Sequence, residues 1–360
     1  MTVIPIDRAE RAGTSGGRPV LEARGLTKYF PVRGGARQAV VHAVEDVTLA
    51  LPEAGITAVV GESGSGKSTL ARMLAQLIKP KAGTVLLDGK AAPTRRRYAR
   101  QVQLVLQDPF SSLNPVHSVR YHLTRPLQIH GIDGAGNGHS LDSLVNDLLT
   151  RVSLTPAGQF AAKYPHELSG GQRQRVAIAR ALAVRPRVLL ADEPVSMLDV
   201  SIRLGVLNLL ADLRDRERLA IVYVTHDIAS ARYLGDTIAV MYAGQIIEHG
   251  PAAVVTERPQ YPYTQLLLAA APDPDRPAPA PLAGRGAPPS LVSPPDGCRF
   301  HPRCPFAMPI CAQQAPPSTE VASGHGSACW LHAKDAGSPG LIPLTPASQP
   351  QTRPPRGEST

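Results

Sequence analysis

The segment GESGSGKS, residues 61–68, restricts the possible folds of this chain more than any other stretch. It carries the glycines, lysine and serine of a phosphate-binding loop at the required spacing, directly after the apolar run ITAVV and at the start of the helical pattern KSTLARMLAQLI. Glycines let the backbone bend so that N–H groups point at phosphate oxygens, and the helix N-terminus adds positive potential. The segment therefore predicts an α/β nucleotide-binding fold. The candidate contacts are Gly61, Ser63, Gly64, Gly66, Lys67, Ser68 and Thr69.

Two acidic residues end the apolar run in RVLLADEP. At the end of a strand, Asp192 is placed to orient Mg²⁺ together with the hydroxyl of Ser68, and Glu193 is placed to polarise an attacking water. The alternative is that the two acids cap the next helix. Pro194 follows them and favours a turn, which weakens that alternative.

Two further apolar runs, VQLVLQ and AIVYVTH, end in Gln107 and His226. Each residue alone is unremarkable, and a lone histidine is more often structural. The carboxyl ends of parallel strands, however, meet at one edge of a sheet, where α/β enzymes bind nucleotides. We therefore expect Gln107 and His226 to lie at the same edge as the two acids.

A second glycine-rich turn, LSGGQ, precedes the helical pattern RQRVAIARAL. Ser169, Gly170 and Gly171 offer a small hydroxyl and free amides at a helix N-terminus, which could hold another phosphate. The alternative is an ordinary helix capped by Ser169.

Composition and charge narrow the function classes. The chain has 360 residues, enough for one large or two moderate domains, and 43% of them are hydrophobic. Since no apolar run approaches the about 18 residues of a membrane helix and the N-terminus lacks a secretory signal, we expect a cytoplasmic protein. The net charge of +9 would suit nucleic acid or an anionic membrane, but scattered arginine is more often a solvated surface.

Changes in pattern along the chain predict its organisation. Residues 1–20 read as a disordered lead and 21–271 as a nucleotide domain with a helical subdomain inserted at about 108–185. Because 23 of the 36 prolines fall in residues 251–360, most of that tail is not expected to continue the sheet. It divides into a Pro/Ala-rich linker at 272–296, a small cysteine module at 297–332 and a disordered tail at 333–360.

LSGGQRQRVAIARAL followed by VLLADEP, SMLD and VTHD resembles the nucleotide-binding subunit of an ABC transporter. The resemblance covers about residues 21–265, with five motifs in family order. It implies a RecA-like parallel-sheet core, an antiparallel β subdomain and an inserted helical subdomain. It also implies that two ATPase domains face each other head to tail, so that each ATP lies between one chain's phosphate loop and the other chain's LSGGQ.

The same resemblance implies roles for single residues. Glu193 is the catalytic base, and His226 steadies the γ-phosphate and the water. Gln107 contacts Mg²⁺ and reports to the membrane subunits, and Phe30 stacks on adenine, with Tyr29 as the alternative. Mg²⁺ is held by Ser68, Gln107 and Asp192, and the partner's ATP is reached by Ser169, Gly170, Gly171, Gln172 and the dimer-contact residue Asp199. Met197 stands where a small residue is more usual.

The C-terminal segments PQYPYTQLLLAAAP and GCRFHPRCPFAMPICAQQ resemble the oligopeptide and dipeptide branch of these importers. The branch implies peptide uptake, with oligosaccharides or nickel as alternatives. The implied partners are two permease subunits, a second ATPase subunit and an extracytoplasmic solute-binding protein, with no nucleic acid. A paralogue is favoured as the second ATPase, with a copy of this chain as the alternative. The chain would lie at the cytoplasmic face of the membrane. A soluble ABC ATPase of translation or DNA repair is disfavoured because only one phosphate loop is present, and a mainly structural subunit is a third possibility.

Cys298, Cys304, Cys311 and Cys329 are separated by 5, 6 and 17 residues. A reducing cytoplasm disfavours disulfides. Four thiolates suit zinc or a 4Fe-4S cluster, but the intervals match neither usual pattern, so unbound cysteines stay open. The resemblance to branch members with a cluster in this tail favours 4Fe-4S.

Overall fold

The computed structural model of the chain describes residues 19–32, 39–132, 140–271 and 287–333. Most of the predicted lead, linker and tail lies outside these ranges. No helix within them is long and apolar enough to span a bilayer.

The described ranges contain two sheets, of eight and four strands. The order of the larger is β11-β12-β10-β9-β3-β8-β7-β6, and that of the smaller is β2-β1-β4-β5. The strands are β1 (Leu21–Pro31), β2 (Val40–Leu51), β3 (Ile56–Val60), β4 (Ala82–Leu87), β5 (Lys90–Ala91), β6 (Val102–Val105), β7 (Val188–Asp192), β8 (Ala220–Thr225), β9 (Thr237–Tyr242), β10 (Gln245–Pro251), β11 (Thr319–Ala322) and β12 (His325–Ser327).

The centre of the larger sheet is parallel. Strands β6, β7, β8, β3 and β9 pair in parallel, and every residue of β3, β7 and β8 is buried. Continuous apolar runs form such strands because helices or another sheet cover both faces. The carboxyl end of β3 leads into the phosphate loop. The carboxyl ends of β6, β7 and β8 lead into Gln107, Glu193 and His226.

The helices are α1 (Lys67–Leu74), α2 (Arg95–Gln101), α3 (Pro109–Ser112), α4 (Val119–Ile129), α5 (Leu141–Arg151), α6 (Ala157–Ala162), α7 (Gly170–Leu182), α8 (Val200–Glu217), α9 (Ile228–Leu234), α10 (Ala252–Glu257), α11 (Pro262–Ala270) and α12 (Pro309–Gln313). Helices α3 to α7 lie between β6 and β7, where the sequence predicts the helical insertion. The predicted domain boundaries themselves stay predictions.

Alternate residues of the central strands enter two apolar clusters in the described part of the chain. Ile56, Ala58 and Val60 face a cluster shared with helices α4 to α9, whereas Val59 faces one that contains α1 and strands β1 and β2. The two-residue period of a strand produces this division. The central sheet is thus covered by helices on one face and by α1 and the smaller antiparallel sheet on the other.

The predicted small cysteine module is not confirmed, because its strands extend the larger sheet. Strand β12 pairs antiparallel with β10 and β11 pairs with β12, so this segment extends the larger sheet. Cys298, Phe300 and Cys311 belong to the same apolar cluster as the central strands. Residues 287–333 of the proline-rich tail join the main body through these short strands and the buried ring of Phe300.

Candidate functional site

The phosphate loop needs glycine at two positions because other backbone passes close to it. A Cβ on Gly61 would lie 2.0 Å from the carbonyl oxygen of Met241, and one on Gly66 would lie 2.1 Å from that of Ala43. Gly66 also has φ of 103°, in the left-handed region that favours glycine. Strand β3, the loop and α1 therefore have the geometry that the motif predicts.

Lys67 is buried against the loop, with 4% of its surface exposed. Its Nζ donates to the carbonyl oxygens of Gly61 at 2.7 Å and Glu62 at 2.9 Å. Burial lowers the pKa of Lys67, while the carboxylates of Glu193 and Asp192 oppose this effect. The loop thus holds a desolvated cation on two neutral oxygens, and an anionic phosphate would compensate its charge.

Ser65 and Gly64 show that the loop can accept an anion. The Ser65 hydroxyl is buried and has no hydrogen-bond partner among the described residues. A Cβ on Gly64 would meet no atom within 4 Å, so the space beside it is open. A buried hydroxyl without a partner carries a desolvation cost that a phosphate oxygen would offset.

Ser68 and Asp192 form the candidate magnesium site. The Ser68 hydroxyl donates to Oδ1 of Asp192 at 2.9 Å, and Asp192 is 2% exposed. Burial raises the pKa of Asp192, and the bond from Ser68 opposes the rise. Hydroxyl and carboxylate oxygens are ligands that Mg²⁺ prefers, so the pair fits this ion.

The structure brings Gln107, Glu193 and His226 together at the ends of β6, β7 and β8. Gln107 Nε2 donates to Oε2 of Glu193 at 3.1 Å, and Nδ1 of His226 lies 3.3 Å from the same oxygen. Glu193 has φ of 46°, and its backbone N–H donates to the carbonyl of Val224 at 2.9 Å. One carboxylate oxygen therefore meets polar groups from two neighbouring strand ends.

The LSGGQ turn forms a capping box at the start of α7. The Ser169 hydroxyl accepts from the N–H of Gln172 at 3.3 Å, and Oε1 of Gln172 accepts from the N–H of Ser169 at 3.0 Å. Ser169 is exposed, whereas a Cβ on Gly171 would lie 2.3 Å from Cγ2 of Ile202. The capped-helix alternative describes the isolated chain, and the exposed hydroxyl stays accessible to a second chain.

Asp199 occupies the N-cap position of α8, and it is exposed. Met197, two residues earlier, has 58% of its surface exposed. Met197 therefore presents apolar surface beside Asp199.

Phe30 lies near the end of β1 opposite Val41 of β2, with Nζ of Lys28 5.3 Å from its ring centroid. The neighbouring Tyr29 ring packs on His42 at 4.1 Å between centroids and has Nζ of Lys81 at 4.4 Å. Tyr29 thus already packs against another ring, and the choice of Phe30 over Tyr29 for adenine stays a prediction.

The four cysteines line one small cavity together with Tyr261, Phe300 and Trp330. All four are free. Burial raises the pKa of Cys304 to about 11 and that of Cys329 to about 12. Within the described ranges, no group of three or more His, Cys, Asp or Glu side chains is arranged to hold a metal ion. The predicted cysteine ligand set is thus not confirmed.

Sequence reasoning missed the residues that hold Glu62, the second residue of the phosphate loop. Arg303 Nη1 lies 3.1 Å from both Glu62 carboxylate oxygens, and the Glu62 N–H donates to the hydroxyl of Tyr263 at 2.9 Å. The sequence feature that could have pointed to Arg303 is the pair of arginines between two cysteines in CRFHPRC, residues 298–304.

Two family models match the chain. The model of the ABC transporter family matches residues 44–196, and that of the oligopeptide/dipeptide transporter C-terminal region matches residues 247–311.

Named relatives extend the match over most of the chain. The probable peptide ABC transporter ATP-binding protein y4tS of Sinorhizobium fredii is 42% identical over 327 residues, which cover 88% of this chain and 91% of the relative. The oligopeptide transport ATP-binding protein AppF of Bacillus subtilis is 39% identical, with 87% of this chain and 98% of that protein covered.

A solved structure shares the fold. The dimeric post-hydrolysis state of the ATP-binding cassette MJ0796, bound to ADP and Pi, matches with a TM-score of 0.56 and 30% identity, over 64% of this chain and 98% of that one. The chain is therefore an ATPase that belongs to the ATP-binding subunits of ABC transporters.

Proposed function

We propose that this chain is the motor subunit of a peptide importer and that its ATP lies on the phosphate loop beside Glu193. The observation that carries the proposal is the Glu193 carboxylate, which Gln107 and His226 contact next to the Ser68–Asp192 pair. This arrangement would bring a base, a metal site and a phosphate loop together at the carboxyl edge of one sheet.

Magnesium and ATP fit the residues present, since the loop offers an unpartnered buried hydroxyl and the sheet edge offers oxygen ligands. Bound together, they supply the phosphoanhydride bond that is hydrolysed. Lys67 would neutralise charge on the outer phosphates, and Ser68, Gln107 and Asp192 would hold the metal. The adenine would stack on Phe30.

Glu193 would accept a proton from the attacking water, because its carboxylate lies at the strand end and is held in place. The backbone N–H of Glu193 donates to β8, and its side chain meets Gln107 and His226. Orientation of a base by neighbouring polar groups is what general base catalysis requires. His226 would steady the water and the γ-phosphate.

A second ATPase chain would complete each site through the exposed turn of Ser169, Gly170, Gly171 and Gln172, with Asp199 in the contact loop. The support is the exposure of Ser169 and Asp199 together with the dimeric arrangement of the matching cassette. Driving a two-state system from 1:99 to 99:1 takes about 5.5 kcal/mol of differential binding. A few charge-assisted hydrogen bonds of about 1.5–3 kcal/mol each reach that value. We propose a paralogue as the second chain.

Replacing Ser169 by alanine tests the two-chain site. The variant should still bind ATP on its own loop, but ATP-dependent association with the second ATPase chain should weaken about tenfold or more, because a charge-assisted bond is lost. Sedimentation with and without ATP measures the association.

Ser140→Ala is a matched control for Ser169→Ala, since Ser140 caps α5 and its hydroxyl accepts from the N–H of Ser143 at 3.1 Å. Loss of either cap costs about 1 kcal/mol of stability. Equal association of both variants would contradict the role of Ser169.

The proposed cargo is peptide, because both relatives are described by peptide transport and the C-terminal match is to the oligopeptide/dipeptide branch. Oligosaccharides and nickel remain alternatives within the branch. The chain would lie at the cytoplasmic face of the membrane, held by two permease subunits that receive cargo from a solute-binding protein. Exposed apolar residues of the helical insertion suit permease docking: Val116, Tyr121, Ile129 and Tyr164.

The cysteine-lined cavity is proposed to hold a 4Fe-4S cluster. The support for the cluster is that four thiols line one cavity; among the described residues no group of three or more side chains is arranged to hold a single metal ion. In such a cluster each cysteine binds a different iron, so the sulfurs lie farther apart than around one ion. In the cluster all four cysteines would be thiolates, although burial raises the pKa of Cys304 and Cys329.

Iron and acid-labile sulfide analysis, with a visible spectrum of anaerobically purified protein, tests the cluster. About four irons per chain and a broad absorption are expected from the cluster stoichiometry, and Cys311→Ser should lower both. Colourless, iron-free protein would exclude it.

A further inference from the structure

The segment Cys298–Cys304 lies between the cysteine-lined cavity and the phosphate loop. Its end cysteines line the cavity, while Arg299 and Arg303 between them point to other parts of the molecule. Phe300 is fully buried and packs edge-on against Tyr242, with ring centroids 5.3 Å apart. This packing fixes the segment against the end of β9.

Every polar group of Glu62 has a hydrogen-bond or ion-pair partner. Its carboxylate meets Nη1 of Arg303, and its N–H donates to Tyr263. Its carbonyl oxygen accepts from Nζ of Lys67 at 2.9 Å and from the N–H of Ser65 at 3.2 Å. Glu62 therefore joins the C-terminal segment directly to the lysine of the phosphate loop.

The ion pair between Arg303 and Glu62 is partly shielded from water, with 30% of the Glu62 side chain exposed. The Arg303 side chain is 10% exposed, and its guanidinium lies 5.8 Å from the ring centroid of Tyr242 and 5.9 Å from that of Phe300. Shielding strengthens the attraction relative to a surface pair and limits the movement of both groups.

Arg299 provides a second contact on the other side of the loop. It donates to the carbonyl of Ala243 and pairs with Glu45. The adjacent Gly244 donates its N–H to the carbonyl of Ser65 at 2.9 Å. The C-terminal segment thus reaches the phosphate loop at Glu62 directly and at Ser65 through the turn between β9 and β10.

We infer that Arg303 and Tyr263 are positioning residues of the nucleotide site, which fix Glu62 and through it the carbonyl oxygen that places Lys67. The inference rests on the proposed nucleotide site. It gives the C-terminal segment a role in setting ATP affinity. Neither residue touches the nucleotide in this proposal, so their loss should weaken binding and leave the chemistry at Glu193 intact.

Arg303→Gln is the principal test. Binding of a fluorescent ATP analogue to the full chain should weaken about tenfold, since one charge-assisted contact to the loop is lost. In the assembled transporter, KM for ATP should rise while kcat stays within about twofold, the split expected when binding alone is affected. Arg303→Lys should recover part of the affinity by keeping the charge.

Arg258→Gln is the matched control, because Arg258 is exposed and lies in the same C-terminal region. Its affinity for the analogue should equal that of the unmodified chain. If Arg303→Gln does not fold, Tyr263→Phe carries the test, since it removes one hydroxyl and should weaken binding severalfold.

A double-mutant cycle separates action through Glu62 from a general loss of structure. Adding Arg303→Gln to Glu62→Gln should cause little further loss of affinity, because coupled residues are non-additive. Full additivity of the two changes would overturn the inference, as would an unchanged Kd in both Arg303→Gln and Tyr263→Phe. Lys67→Ala separates failure of the proposed nucleotide site from failure of the positioning role. If Lys67→Ala still binds the analogue normally, the proposed nucleotide site is wrong. If Lys67→Ala loses binding but Arg303→Gln binds normally, only the positioning role is wrong.

Discussion

Glu193→Gln is expected to bind ATP with little change and to lower steady-state ATP hydrolysis roughly 10²- to 10⁴-fold, the range that a general base contributes. The amide has the shape of the carboxylate and can still meet Gln107 and His226, but it does not accept a proton from water. The measurement is phosphate release by the chain assembled with the proposed second ATPase chain and permeases. Because ATP persists, the ATP-bound assembly of the two chains should accumulate, and sedimentation should detect it.

Glu257→Gln is a suitable control for this experiment. Glu257 is exposed and lies at the end of α10, where its carboxylate is 3.9 Å from Arg232. Its replacement should leave hydrolysis unchanged. If Glu193→Gln also hydrolyses ATP at the normal steady-state rate, another group is the base.

Lys67→Ala is expected to weaken ATP binding by about 10- to 100-fold, because one charge-assisted contact of about 1.5–3 kcal/mol is lost. Equilibrium binding of a fluorescent ATP analogue gives the change in Kd. Lys90→Ala removes an exposed lysine of β5 and should bind as the unmodified chain does.

The stability of Lys67→Ala distinguishes lost binding from lost structure. Burial lowers the pKa of Lys67, so the charged form is unfavourable in the folded chain without nucleotide. Its removal should therefore leave the thermal midpoint unchanged or raise it. A large fall in the midpoint together with weak binding would assign Lys67 to the fold instead.

Local patterns predicted the nucleotide-binding body well. ITAVV, RVLLADE and LAIVYVTH form β3, β7 and β8, because continuous apolar runs suit strands that are covered on both faces. These features depend on neighbouring residues in the chain.

The C-terminal segment was predicted poorly because its contacts are distant in sequence. Strand β12 has three residues, too few to show a period, and proline content suggested that the sheet ends earlier. The pairing of Arg303 with Glu62 joins residues 241 positions apart. No local spacing indicates such a contact, so the link from this segment to the phosphate loop needed the structure.

The close packing of α7 against α8 has a consequence for how two chains engage. Gly171 lies so near Ile202 that a Cβ would overlap it, and a Cβ on Gly170 would be 3.4 Å from Leu198. The turn that contains Ser169 and the turn that contains Asp199 are therefore packed closely against each other. A rotation of the helical insertion toward a second chain would move both turns together, so both would reach that chain in the same movement.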